Sequence, residues 1–122
     1  MPHVPQRKHP ALTKLRRLTA TFPEGAEVEA WGHPTFRAGK KMFAIFGEHE
    51  GRPAICVKQT HAAQAALLED PRFYHPPYVG GAGWIGIFID ATDWPVVAEL
   101  VETGYRLVAL KRMLRALDES RG

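Results

Sequence analysis

Between Glu27 and Lys58 the chain is broken into short alternating runs by closely spaced turn formers. Strands joined by so few residues cannot pair in parallel, because parallel pairing needs a crossover of a dozen residues or more. This stretch therefore has to fold as an antiparallel meander. Glu27 to Trp31 reads as its first strand, with Glu27 and Glu29 on the face opposite Val28 and Ala30. Gly32-His33-Pro34 reads as a break, and Thr35 to Ala38 as the second strand. Gly39-Lys40 is a hairpin signal leading into Lys41 to Phe46, and "GEHEG", Gly47 to Gly51, reads as a longer turn before Pro53 to Lys58.

Helical patterns flank the meander. Pro10 suits a first turn, and Leu12, Leu15, Leu18, Thr19 and Phe22 follow at helical spacing until Pro23 and Gly25. Met1 to His9 reads as a loose tail, so the domain spans 10–122. Thr60 caps a short helix, "HAAQAALLED", that Pro71 ends. "PRFYHPPYVGGAGW" has too many breakers for a long element. Trp84 to Ile89 is a strand with Ile85, Ile87 and Ile89 on one buried face. Asp90 or Thr92 caps a last helix, whose stripe is Val97, Leu100, Val101, Gly104, Tyr105 and Val108. Through "LKRMLRALDE" that helix either continues or breaks and resumes. The sum is one α+β domain, with helices packed on a mostly antiparallel sheet.

Composition sets limits on function. A chain of 122 residues fits one domain with a core that needs no staples. One cysteine allows no intrachain disulfide and points to a reducing, cytoplasmic setting. No apolar run is long enough for a membrane helix, and "MPHVPQRKHP" lacks the apolar stretch of a secretory signal. A net charge of +3 permits an anionic partner without requiring one.

Catalytic patterns are weak. Cys56 sits within the apolar run "AICVK", where a thiol is a core residue rather than a nucleophile. The histidines His3, His9, His33, His49, His61 and His75 make no H-x-x-x-H motif and no Cys/His pair at metal-ligand spacing. "GGAGW" runs into a strand, whereas a phosphate-cradling loop runs into a helix. No proton-transfer pair, metal set or cofactor fingerprint emerges, so a binding protein is favoured over an enzyme. Cations and aromatics remain. Arg37, Lys40, Lys41 and Arg52 flank the hairpins, where they can reach phosphates. DNA binding through those cations is the leading reading, and the alternative is a groove for a small molecule or a protein, edged by Trp31, His33, Phe36, Lys58, Tyr78 and Trp84.

"WGHPTFRAGKKMFA", "LLEDPRFYHPPYVGGAGWIGI" and "DW…ELV…GYRLVALKR" stand in this order along nearly the whole chain beyond the tail. With these three motifs the chain resembles the MmcQ/YjbR-like family of small bacterial proteins. The resemblance implies an α-β(3)-α-β(2)-α order, a fold likened to frataxin and secretion chaperones. It also implies DNA binding through a "double wing" of hairpins; no predicted helix here combines a cationic face with base-reading side chains, so such contact would be mainly to phosphates. Arg37, Lys40, Lys41 and Arg52 would be the wing cations. The family's aromatics would be Trp31, His33, Phe36, Tyr78 and Trp84. No catalytic residue and no cofactor is implied. Glu48 and Glu50 at the second hairpin run against phosphate contact there.

Overall fold

The computed structural model describes residues 9–122, so the tail assigned to Met1–His9 lies outside the described residues except for His9 itself. His9 belongs to the domain. It caps the first helix, its Nδ1 accepting from the Ala11 N–H at 3.0 Å, and its ring lies 6.0 Å from Phe46.

The elements run α1 (Pro10–Thr19), β1 (Gly25–Ala30), β2 (His33–Ala38), β3 (Lys41–His49), β4 (Arg52–Val57), α2 (His61–Leu67), β5 (Phe73–Tyr74), β6 (Ile85–Phe88), α3 (Trp94–Val108) and α4 (Lys111–Arg121). Short 3₁₀ turns cover Val79–Ala82 and Ile89–Ala91. The strands form one sheet in the order β1-β2-β3-β4-β6-β5, every pair antiparallel. Four strands precede α2, as the turn signals indicate, so the order implied by the resemblance is short by β4. The last helical stretch breaks at Ala109 and Leu110 and resumes as α4.

The hairpin turns are tighter than the spacing of glycines suggests. The first turn is Trp31-Gly32, so His33 and Pro34 belong to β2 rather than to the break. Trp31 has φ 54° and Gly32 φ 78°. Two successive positive φ values are what a type I′ turn requires, and its twist suits antiparallel neighbours. Glu50 and Gly51 repeat the pattern with φ 52° and 76°. The longer turn expected at "GEHEG" is therefore only two residues, and Gly47, Glu48 and His49 extend β3. Gly39, with φ 60°, makes the intervening turn.

Register decides which face each side chain takes. Phe36, Ala44, Val57 and Ile85 are successive cross-strand partners, as are Phe46, Ile55, Ile87 and Phe73. Partners in a row share a face, and these eight residues all lie in the core cluster. Leu12 and Leu15 of α1, Val97, Val101 and Tyr105 of α3, and Met113 and Leu117 of α4 join the same cluster. Ile85 and Ile87 are completely buried, and Ile89 is packed against them from the following turn. A bulge between β2 and β3 inserts Phe43 into the ladder. It places Phe43 and Ala44, consecutive in sequence, together in the core.

α3 crosses the sheet at very short range. A Cβ on Gly104 would stand 3.0 Å from the Lys58 carbonyl oxygen and 3.2 Å from that of Phe43. Next to it Tyr105 stacks on Phe22 at 4.5 Å, meets Phe43 edge-on at 5.5 Å, and donates its hydroxyl to the Pro23 carbonyl at 2.7 Å. Among the described residues no helix is long and apolar enough to cross a membrane.

Gly104→Ala separates packing from helix propensity. Alanine within a helix gains at most about 1 kcal/mol over glycine, whereas overpacking against fixed backbone costs about 1–3 kcal/mol. Chemical denaturation is expected to show a net loss of stability. A stabilised variant would mean that α3 does not approach the sheet so closely.

Candidate functional site

The second row of partners is Thr35, Ile45, Cys56, Gly86 and Tyr74, one from each of β2, β3, β4, β6 and β5. This row faces away from the core cluster. On this face lies a pocket of about 720 Å³, within the range of small-molecule sites. Ile45, Cys56 and Tyr74 form its floor. His33, Glu48 and His49 bring polar groups to it, and Trp31 lines it from the first hairpin turn. Pro76, Pro77, Tyr78 and Val79 complete the wall.

The floor is flat for a reason. Gly86 stands opposite Tyr74, and a Cβ on it would come within 2.2 Å of the phenol ring. The ring therefore lies down on the backbone of β6. Its other side is covered by His49, stacked at 4.0 Å with planes 7° apart. The Tyr74 hydroxyl lies 3.7 Å from Cys56 Sγ. Burial is the main cause that pushes both groups up, so the phenol keeps its proton and the thiol sits above its ordinary range. The nearby hydroxyl lowers the thiol only in part. The site thus holds no thiolate nucleophile at neutral pH.

The wall is held from behind. Lys58 Nζ donates to the Ala82 carbonyl at 3.2 Å, and His61 Nε2 donates to that of Gly81 at 3.0 Å. Gln64 Nε2 reaches the carbonyls of Gly80 and Trp84 at 2.8 and 2.7 Å. At the apex, the Val79 N–H bonds to the Pro77 carbonyl at 2.7 Å across Tyr78, whose φ is 66° and ψ −64°. That is the rarer, strained form of γ-turn. Tyr78 is fully exposed, and Trp31 is 74% exposed. Two large aromatics thus stand in solvent beside the pocket, each on backbone that disfavours a side chain. The Nδ1 atom of His33 is buried with no hydrogen-bond partner. His33, Glu48, His49 and Cys56 share the pocket without converging: among the described residues no three such side chains are placed to hold a metal.

Of the residues assigned to a groove, Trp31, His33 and Tyr78 come together here. Phe36 lies on the opposite face in the core, and Trp84 is buried beside the wall segment. Lys58 supports that segment rather than lining the pocket. The sequence pattern does not mark Ile45, His49, Cys56 and Tyr74 as lining residues. Alternation along β3 and β4 carries a signal for Ile45 and Cys56, but Tyr74 sits on a strand of two residues that no periodicity marks.

The hairpin cations are spread out. Lys40 and Lys41 are exposed at the Gly39 turn, whereas Arg52 is at the other end of β3, nine residues long and so about 30 Å away. Arg52 grips Asp90 at 2.7 Å and lies 3.7 Å over the Phe88 ring. Arg37 is half-buried, its Nε 3.5 Å from Thr35 Oγ1.

Two outcomes check this geometry. Cys56 is expected to react slowly with a chromogenic disulfide reagent, its rate rising with pH later than in denatured chain, because its folded pKa is raised. Gly86→Ala is expected to displace the Tyr74 ring, speed native labelling of Cys56 and cost about 1–3 kcal/mol. Fast native labelling of the unmodified chain near neutral pH would contradict the raised thiol pKa.

Comparison with known proteins agrees with this architecture. No curated protein matches the chain. A solved Deinococcus radiodurans protein with a DUF419 domain superposes with TM-score 0.72 at 16% identity, over 88% of this chain and 87% of its own. A Pseudomonas syringae protein superposes with TM-score 0.59 at 16% identity, over 69% of this chain and 86% of its own. At such identity these two show a shared fold and nothing of function. The YjbR family model matches residues 20–107, which hold all six strands and every residue of the pocket. The chain belongs to the YjbR family.

Proposed function

We propose that this protein binds a small ligand in the pocket on the open face of its sheet, as a non-enzymatic module in the cytoplasm. The observation that carries the reading is the pair Trp31 and Tyr78. Both are exposed, both line the pocket, and both sit at positive φ. The first position of a type I′ turn favours Asn, Asp or Gly. A non-glycine residue in the left-handed region costs about 1–2 kcal/mol, and Trp31 recovers little of that by burial. Strain kept where burial does not repay it fits a side chain retained for contact with something else.

Phosphate contact with DNA is the second reading. Exposed Lys40 and Lys41 favour it, because the Gly39 turn packs on Met113 of α4, which also carries Lys111, whereas Arg112 there is paired with Glu24 at 2.8 Å. Arg52 and Arg37 add little, one paired with Asp90 and the other half-buried.

Trp31→Asn tests the first reading. Unfolding in guanidinium is expected to show a gain of about 0.5–1 kcal/mol from relief of strain. A fragment screen followed by amide shifts should find binders whose shifts gather around His33, Ile45, Cys56 and Val79, weakened or lost in the variant. Binders that gather elsewhere, or a variant that binds equally well, would overturn it. For the second reading, duplex titrated across salt concentrations should lose about two units of log–log slope when Lys40 and Lys41 both become alanine. An unchanged slope removes those lysines from any DNA contact.

A further inference from the structure

We infer that the ligand of the pocket is a small organic acid, an apolar body carrying one carboxylate, and that Arg37 receives the carboxylate. The inference rests on the pocket being a binding site and concerns what that site selects.

Arg37 is the exception among its kind. Four arginines of the described residues are half-buried: Arg37, Arg52, Arg72 and Arg106. The last three each hold a carboxylate at 2.7–2.9 Å. Arg37 holds none among the described residues. Its guanidinium bonds only the Thr35 hydroxyl there, Nε to Oγ1, at 3.5 Å, longer than an ordinary N–H···O bond. That hydroxyl already donates to the Val28 carbonyl, so it offers Arg37 a neutral lone pair and nothing more. Drawing a cation partly out of water without an opposite charge costs free energy. A planar fork of N–H donors is matched by a carboxylate, which accepts two parallel bonds.

Placement joins this cation to the pocket. Arg37 stands between Phe36 and Ala38 of the core cluster, so it takes the open face with His33 and Thr35. Its side chain leans back along β2 to Thr35, away from the Gly39 turn. Thr35 is the cross-strand partner of Ile45, on the pocket floor. The guanidinium therefore stands just beyond the lining, about one strand spacing, roughly 5 Å, from the floor. Glu48 lines the pocket at its other end. It is six residues along β3 from Met42, the cross-strand partner of Arg37, which is about 20 Å of strand. An acid held at Arg37 keeps its charge far from that carboxylate. Trp31, Ile45, Pro76, Pro77, Tyr78 and Val79 leave the lining between mostly apolar, which suits the body of the ligand. One guanidinium matches one negative charge rather than two.

The test uses the full chain and four probes on one naphthalene body, followed by amide shifts and by the Arg37 Nε–H resonance. 2-Naphthoate carries the carboxylate, and 2-naphthamide is its neutral counterpart. 2-Naphthylmethylammonium is cationic, and 2-naphthyl phosphate carries a second negative charge. Naphthoate is expected to bind about tenfold more tightly than naphthamide, the value of one charge-assisted hydrogen bond. It should also outbind the ammonium, move the Arg37 resonance, and be matched but not exceeded by the phosphate. Arg37→Gln should bring naphthoate down to the level of naphthamide while naphthamide still binds. Where that variant fails to fold, the Arg37 resonance of the unaltered chain decides whether this cation holds the carboxylate. Equal binding of naphthoate and naphthamide, or tighter binding of the ammonium or the phosphate, overturns the ligand class but not the site. Naphthoate shifts that gather at Lys40 and Lys41, or a preference that survives Arg37→Gln, overturn the role of Arg37. If none of the four shifts the pocket amides, the binding site itself falls.

Discussion

The approach of α3 to the ends of β3 and β4 is the contact on which the rest depends. Gly104 allows the helix to sit against the carbonyls of Phe43 and Lys58. The Lys58 N–H bonds the Phe43 carbonyl at 3.0 Å, which closes the β3–β4 ladder at that point. The next residue, Gln59, is buried and donates to the carbonyls of both Lys58 and Leu100, so the end of β4 is tied to the helix directly. Any side chain at position 104 would lift α3 from the sheet and pull Tyr105 away from Phe22 and Phe43. With α3 seated, α1 and α4 place their apolar residues on that same face. The other face is left for different use.

Strain by itself does not mark the site. Glu50 adopts the same positive φ as Trp31, in the same kind of turn followed by glycine. Glu50 is a polar residue at a hairpin tip, and its charge acts on Arg52 beside it. Nothing apolar is left in solvent there. Trp31 differs because a large apolar ring stays exposed in a turn that would be more stable without it, and because Tyr78 repeats the arrangement across the same pocket. The coincidence of strain, exposure and a shared cavity is what carries weight.

Much of the fold was legible because its signals are local. The glycines at 32, 39 and 51, Thr60, and Ile85 and Ile87 each act within a few residues and stand where their chemistry predicts. Thr60, for example, caps α2 by accepting the Ala63 N–H at 3.1 Å. α2 instead ends at Leu67, four residues short of Pro71, and Ile89 lies in the turn after β6. The errors have local causes too. His33 and Pro34 read as a break because proline disfavours strands, yet Pro34 has a place in β2 opposite Glu29, near the edge. Gly47 reads as a turn former but continues β3 opposite Ala54. The site was legible only in part. Trp31, His33 and Tyr78 are three of the six residues that the sequence offers as a groove edge. Cys56, Ile45 and Tyr74 share a floor only through the register of four strands, which no single stretch of sequence displays. The wing arrangement was more constrained than composition suggests. Consecutive hairpins turn at opposite ends of their shared strand, so Lys40 and Arg52 stand far apart whatever their charges.

A sheet with its helices on one side must still shield the other. Here the row Thr35, Ile45, Cys56, Gly86 and Tyr74 is small at its centre and carries a ring at its edge. Small residues let the segment after β5 fold back over the sheet, and that segment has little regular structure to hold itself there. Lys58, His61 and Gln64, from the end of β4 and from α2, instead bond its carbonyls one after another. A cover fixed by side chains at 80–84 leaves its apex at Tyr78 to be shaped by two backbone bonds of its own, Val79 N–H to the Pro77 carbonyl and Gly80 N–H to that of Pro76. The cover does not settle onto the strands at that apex, and the space it leaves there is the pocket. The cavity therefore arises from how this face is shielded, and glycine at 86 and the three donors behind the wall maintain it from outside its lining.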